Sequence, residues 1–83
     1  MDHDTAFIVA TGKVIRQHRE QRRLSIAELA SKARVSPFRL KRIEQGSLDP
    51  LVREFILIAI ALNTPSDRLM ERIEQVVKEL LHG

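Results

Sequence analysis

Residues 25–46 read SIAELASKARVSPFRLKRIEQG, and this stretch decides the fold because it writes two short helices and the turn between them in local chemistry alone. Ser25-Ile26-Ala27-Glu28 forms a capping box, in which the serine hydroxyl takes the amide three residues on and the glutamate reaches back to the serine amide. Leu29, Ala30 and Ala33 then supply an inward face, and the helix is expected to end near Arg34. A second start follows at once. Ser36 serves as N-cap and Pro37 takes the first helical position, where a missing N–H costs nothing. Leu40 and Ile43 face the core at a three-residue step, and Gly46 is expected to close the helix as a left-handed C-cap. Positions 38, 41, 42 and 45 then point outward.

Outside this stretch the pattern remains helical, with no strand alternation. A first helix is expected from about Thr5 to Arg22, with Phe7, Ile8, Val14, Ile15 and His18 on its apolar stripe; Gly12 weakens its middle and allows a break or bend there. Asp49-Pro50 repeats the cap-then-proline start for a fourth helix, and Thr64-Pro65-Ser66-Asp67 repeats it for a fifth, over about residues 65–81. The fourth helix is apolar nearly all round, from Leu51 and Val52 to Ile60 and Leu62, so it must be covered on several sides. The fifth carries one apolar stripe of Leu69, Ile73, Val76, Val77 and Leu80. The expected fold class is therefore all-α, five helices in a single domain spanning residues 1–83. A chain of 83 residues buries only about 60% of its unfolded surface, and its apolar excess points to a homodimer. Leu51, Ile56 and Ile60 of the fourth helix and Leu69, Ile73, Val76, Val77 and Leu80 of the fifth are the expected interface. The plain alternative is that the fifth helix lids the fourth within one subunit.

The net charge of +3 conceals an uneven distribution. Residues 13–42 hold ten Lys or Arg against two acids, a local +8, whereas residues 1–12 carry −2 and residues 43–83 carry −3. Such a one-sided positive field suits a polyanion such as nucleic acid. The chain has no cysteine, which removes disulfides, thiolate metal sites and cysteine nucleophiles and fits a reducing cytoplasm. Its longest apolar run, Phe55 to Leu62, is far short of the roughly 20 residues that cross a bilayer, so no membrane role is expected. His3, His18 and His82 are too scattered for a metal site, and neither a nucleophile cluster nor a Gly-rich phosphate loop is present. No enzyme and no cofactor is expected. Three aromatics, none placed as a stacking sheet, argue against RNA.

Two helices around a tight turn have the size of a helix-turn-helix, whose second helix enters the major groove of DNA. The surrounding residues make the signal specific: Ile15-Arg16 with Arg19, Leu24-Ser25 with Leu29-Ala30, Val35-Ser36 with Leu40, Ile43-Glu44 and Gly46, then Pro50, Ile58-Ala59 and Ala61-Leu62. This series, over roughly residues 12–70, resembles the Cro/C1 phage-repressor-like family of helix-turn-helix domains, also called the xenobiotic-response-element family. The resemblance implies a five-helix, lambda-repressor-like domain. Among small members, the chain looks most like the controller proteins of restriction–modification systems or a small phage regulator; antitoxins share the fold.

By that resemblance Arg19 and Glu44 pair beneath the recognition helix, a structural tie worth about 3–5 kcal/mol if fully enclosed and broken from one side. Arg19→Ala is then expected to damage DNA binding through the fold. The family's readers of base edges fall at Pro37, Phe38, Lys41 and Arg42. Pro37 fixes the helix start without donating, and Phe38 can pack on thymine methyl groups. Hydrogen-bonded reading is left to Arg39, Lys41 and Arg42, with Arg42 first. Two alternatives stand beside this: Phe38 fills a gap between the two helices or meets a partner protein, and Lys41 and Arg39 touch phosphate only. Phosphate anchors are expected at Ser25, Ser36, Arg22, Arg23, Lys32, Arg34, Gln45 and Ser47.

Three positions depart from the family pattern. Ile26 replaces a glutamine that clamps the backbone. Arg34 replaces the turn glycine, where a left-handed conformation costs about 1–2 kcal/mol, so either the turn is reshaped or Arg34 is kept for its charge. His18 replaces a core leucine and reads as a hydrogen-bonded, half-buried residue. The function expected from all this is a homodimeric regulator on double-stranded DNA at a near-palindromic operator, with RNA polymerase or another protein as a further partner. A protein-interaction module is the alternative.

Overall fold

A computed structural model describes residues 1–83 and contains five helices: α1 (His3–Gln21), α2 (Ile26–Ala33), α3 (Pro37–Glu44), α4 (Val52–Ala61) and α5 (Ser66–His82). The two helix starts written in residues 25–46 form as their chemistry dictates. The Ser25 hydroxyl accepts the Glu28 amide at 3.0 Å while Glu28 accepts the Ser25 amide at 2.8 Å. Ser36 accepts the Arg39 amide at 3.2 Å, with Pro37 in the first turn of α3.

Other starts differ from expectation. α1 begins at His3 because the Asp2 carboxylate accepts the Thr5 amide at 2.7 Å, which also holds that carboxyl below its usual range. α4 begins at Val52 and not beside Pro50; its cap position is Leu51, whose free amide is taken by Glu54 at 2.9 Å. α5 starts behind Pro65, and Thr64 does not cap it, since its hydroxyl turns back to the Leu62 carbonyl at 3.3 Å.

The helix ends share one device. Arg23, Arg34, Gly46 and Asn63 each take positive φ just beyond α1, α2, α3 and α4. In each case the next amide reaches back five residues, Leu24 to Arg19, Val35 to Ala30, Ser47 to Arg42 and Thr64 to Ala59, at 3.0–3.2 Å. These are Schellman ends, which dispose of orphan carbonyls and turn the chain sharply. Arg34 therefore keeps the turn conformation, at φ 56° and ψ 43°, and the turn is not reshaped.

Two adjoining cores hold the helices. Ala6, Ala10 and Val14 of α1 pack with Ala59 of α4 and Leu69, Ile73, Val76 and Val77 of α5. Small alanines on α1 let α5 approach closely, so its apolar stripe is consumed within the protomer. Leu69 and Ile73 are fully buried, Val76 and Val77 nearly so, and Leu80 is packed at the edge. Leu69, Ile73, Val76 and Val77, expected at a dimer interface, are instead spent within the protomer, and Leu80 alone of that set stays half-buried. The second core joins Ile15 of α1, Leu29, Ala30 and Ala33 of α2, Leu40 and Ile43 of α3, and Ile58 and Leu62 of α4. It is the platform beneath α2 and α3. Gly12 does not break α1; it is buried where α1 crosses the C-terminal end of α3, and a Cβ there would collide with the Ile43 and Glu44 carbonyl oxygens. No helix is long and apolar enough to cross a membrane.

Candidate nucleic-acid interface

α3 is fixed at both ends by charge. At its last turn Arg19 grips Glu44 with two parallel hydrogen bonds, Nε to Oε2 at 2.8 Å and Nη2 to Oε1 at 2.9 Å, and its Nη1 donates to the Leu24 carbonyl at 2.8 Å. Both side chains are largely buried and both carboxylate oxygens are engaged, so the pair stabilises one arrangement of α1 against α3. The hydrogen bonds to Glu44 raise the Arg19 pKa further above its ordinary value. At the first turn Arg39 makes the same kind of fork with Glu54, at 2.6 Å and 2.7 Å. Glu54 is buried at 6% exposure and its carboxyl lies below the usual glutamate range, chiefly through the Arg39 hydrogen bonds.

This second pair revises the reading set. The sequence puts Arg39 among the readers of base edges, but it leans toward α4 beside Leu40 and spends its Nε and Nη2 hydrogens on Glu54. The lone acid of the largely apolar α4 is the signal, since a buried carboxylate requires a partner. Pro37, Phe38, Lys41, Arg42 and Gln45 share the open side of the helix. Phe38 is 69% exposed, so it fills no gap between α2 and α3. The Arg42 guanidinium carbon instead sits 5.9 Å from its ring centroid, one helical turn away. The pair joins an apolar plate to a planar donor fork, with the Lys41 ammonium beside it.

The expected phosphate anchors divide. Arg23, Lys32, Arg34 and Gln45 are exposed cations or donors, and the Ser25 and Ser36 hydroxyls accept from their own helices and keep a proton to donate. Ser47 is committed: its hydroxyl donates to the Arg42 carbonyl at 3.1 Å. Arg22 is drawn away, donating to the His18 carbonyl at 2.9 Å and to Thr64 at 3.0 Å, which ties the end of α1 to the α4–α5 turn. Ile26 packs on the second core and replaces the clamp with an apolar contact. His18 is half-buried, its Nδ1 at 2.9 Å from the Val14 carbonyl, so that nitrogen carries the proton. Two cations not singled out by the sequence also border the face. Arg16 lines a small cleft with Lys41 and Gln45, and Arg53 lines another with Arg34 and Ser36.

A braced second helix with one free, cationic face, set by a left-handed turn against its companion, defines a helix-turn-helix protein. The chain belongs to the helix-turn-helix domain family, which it matches over residues 11–73. Among solved structures it is similar to two crystal structures of the clp gene regulator ClgR from Corynebacterium glutamicum. One has a TM-score of 0.84 at 21% identity, covering 90% of this chain and 80% of that one. The other has a TM-score of 0.77 at 23% identity, covering 83% and 90%. At such identity the likeness is one of fold. No curated protein matches the chain.

Proposed function

We propose that this protein is a sequence-specific, double-stranded DNA-binding transcription regulator that inserts α3 into the major groove and acts as a homodimer on a near-palindromic operator. The observation that carries this is the Phe38–Arg42 pair with Lys41, an exposed reading edge on a helix braced at both ends by ion pairs. Arg42 offers its fork to guanine and Phe38 its ring to thymine methyls. Arg23, Lys32, Arg34, Arg16 and Arg53 supply phosphate contacts that set register. The family supports DNA binding, and the fold likeness to a gene regulator supports regulation. Within that class the motif series favours a controller of a restriction–modification system or a phage-type repressor, working in the cytoplasm without cofactor or catalysis.

Footprinting on the DNA upstream of its own gene tests this reading, and a protected, two-fold symmetric site whose affinity falls steeply with salt is expected. The exposure of Phe38 supports a second reading, an antitoxin-like module that docks protein through that ring. Binding that ignores salt and collapses in Phe38→Ala would favour it.

A further inference from the structure

We infer that a second copy of this chain docks on the outer face of α4, the two copies meeting about a two-fold axis that passes beside Ile56. This rests on the dimeric reading above and names the surface that serves it.

Seven large apolar side chains are exposed in the protomer, and four of them, Leu51, Val52, Ile56 and Ile60, belong to α4 or its cap. Val52, Ile56 and Ile60 stand at four-residue steps and are 77%, 45% and 68% exposed. Single apolar side chains on a surface are ordinary, but an unbroken row of three on one helix face marks a contact surface. α5 offers no competing surface, since its stripe is sealed against α1. The protomer exposes 5439 Å², whereas a monomer of 9.5 kDa is expected to show about 5,000 Å². A surplus of some hundreds of Å² is a substantial part of the roughly 800 Å² that one side of a stable interface buries.

The pattern selects a copy of itself as occupant. An isologous contact requires that positions equally far from the axis complement each other. With antiparallel α4 helices centred on Ile56, that residue meets its own counterpart and Val52 meets the partner subunit's Ile60. Both contacts are apolar, and no like charges are brought face to face. Beyond Val52 lies a hollow of about 300 Å³ lined by Phe7, Pro50, Val52, Phe55 and Met70, with Thr11 and Asp49 as its polar members, and its apolar side is open to an aliphatic side chain from across the seam. Phe7, itself 41% exposed, extends the apolar surface on that side. None of Phe38, Lys41 and Arg42 belongs to the seam, so both recognition helices stay uncovered.

The absence of cysteine makes the test clean. Ile56→Cys introduces a single thiol on the axis, and mild oxidation at micromolar protein should convert most of it to a disulfide-linked dimer, while Lys78→Cys on exposed α5 should stay monomeric on the same gel. Ile56→Glu, with the helical circular dichroism of the native chain, should sediment as a monomer where the native chain sediments as a dimer. A native dimer that persists in Ile56→Glu, with no cross-link formed by the Ile56→Cys variant, overturns the seam and leaves the dimeric reading standing. A native chain that is monomeric at every concentration overturns both. A chain that pairs through α4 yet ignores DNA supports the seam and refutes the regulator.

Discussion

Arg39 and Glu54, fifteen residues apart in the chain, join the first turn of α3 to the start of α4 through two parallel hydrogen bonds, and Glu54 also takes the amide of Leu51. Together with Arg19–Glu44 at the other end, this fixes the recognition helix by two charge forks anchored on different helices. Lys41 and Arg42 can then be long without the helix itself wandering, because the rigidity resides in the two ion pairs. In a site built this way specificity depends on the bracing pairs as much as on the readers.

Removing one arm of the outer fork exposes its worth. Arg39→Ala leaves a buried carboxylate with a single amide donor, so it should lower the melting temperature more than Arg16→Ala, which breaks only the solvated pair with Glu20. The same fork gives an acid dependence. The Glu54 carboxyl is depressed in the folded state, so its stabilisation is present above the unfolded value of 4.5 and is lost as the pH falls below it. Urea titrations at pH 7 and pH 3.5 should show a larger acid loss for the native chain than for Glu54→Gln. Equal losses would remove Glu54 from the account.

Gly12→Ala separates sequence expectation from packing. In a solvated helix this exchange stabilises by about 1 kcal/mol. Here the new Cβ meets the Ile43 carbonyl oxygen and stands 2.9 Å from that of Glu44, backbone atoms that cannot swing aside. A net destabilisation of about 1–3 kcal/mol is expected, with a lower melting temperature and weakened Arg19–Glu44 geometry. An unchanged or higher melting temperature would show that α1 and α3 can slide apart freely.

The difference between what was legible and what was not follows the range of the interactions. Ser25-Glu28 and Ser36-Pro37 could be read because caps are chemistry within four residues. Gly46 could be read because its missing side chain announces positive φ, whereas Arg23 and Asn63 adopt the same conformation without announcing it, and Arg34 is marked only by the glycine usual at its position in the family it resembles. The exposed face of α3 followed from the inward positions of Leu40 and Ile43, yet the pairing of Arg39 did not, because its partner Glu54 lies on another helix. The apolar stripe of α5 was evident, but no periodicity says which surface will cover it; the small side chains of Ala6 and Ala10 on α1 decided that.

Arg34 carries a conflict between stability and charge that one substitution resolves. Its left-handed backbone costs about 1 kcal/mol for a residue with a Cβ, so Arg34→Gly should raise the unfolding free energy by about that amount, less the extra chain entropy of glycine. The same change removes a cation beside the α3 start, and the slope of log affinity against log salt should fall by about 1. A variant more stable yet weaker on DNA would show that the arginine is present for phosphate; unchanged affinity and slope would make it a turn residue only.

Base reading is tested on the exposed face itself. Lys41→Ala with Arg42→Ala leaves both ion pairs and both cores intact, so the helical content and melting temperature should hold. A bidentate arginine contact discriminates by about 1–3 kcal/mol, and its loss together with the lysine should collapse the preference for operator over unrelated DNA while residual, salt-sensitive binding remains through Arg23, Lys32 and Arg34. Phe38→Ala acts differently: it removes the plate under Arg42, so it should lower operator affinity more in the presence of Arg42 than in its absence. A double-mutant cycle with a coupling of about 0.5–1 kcal/mol between Phe38 and Arg42 is expected from the ring–guanidinium contact. Zero coupling on operator DNA would mean that the two side chains part when the helix enters the groove.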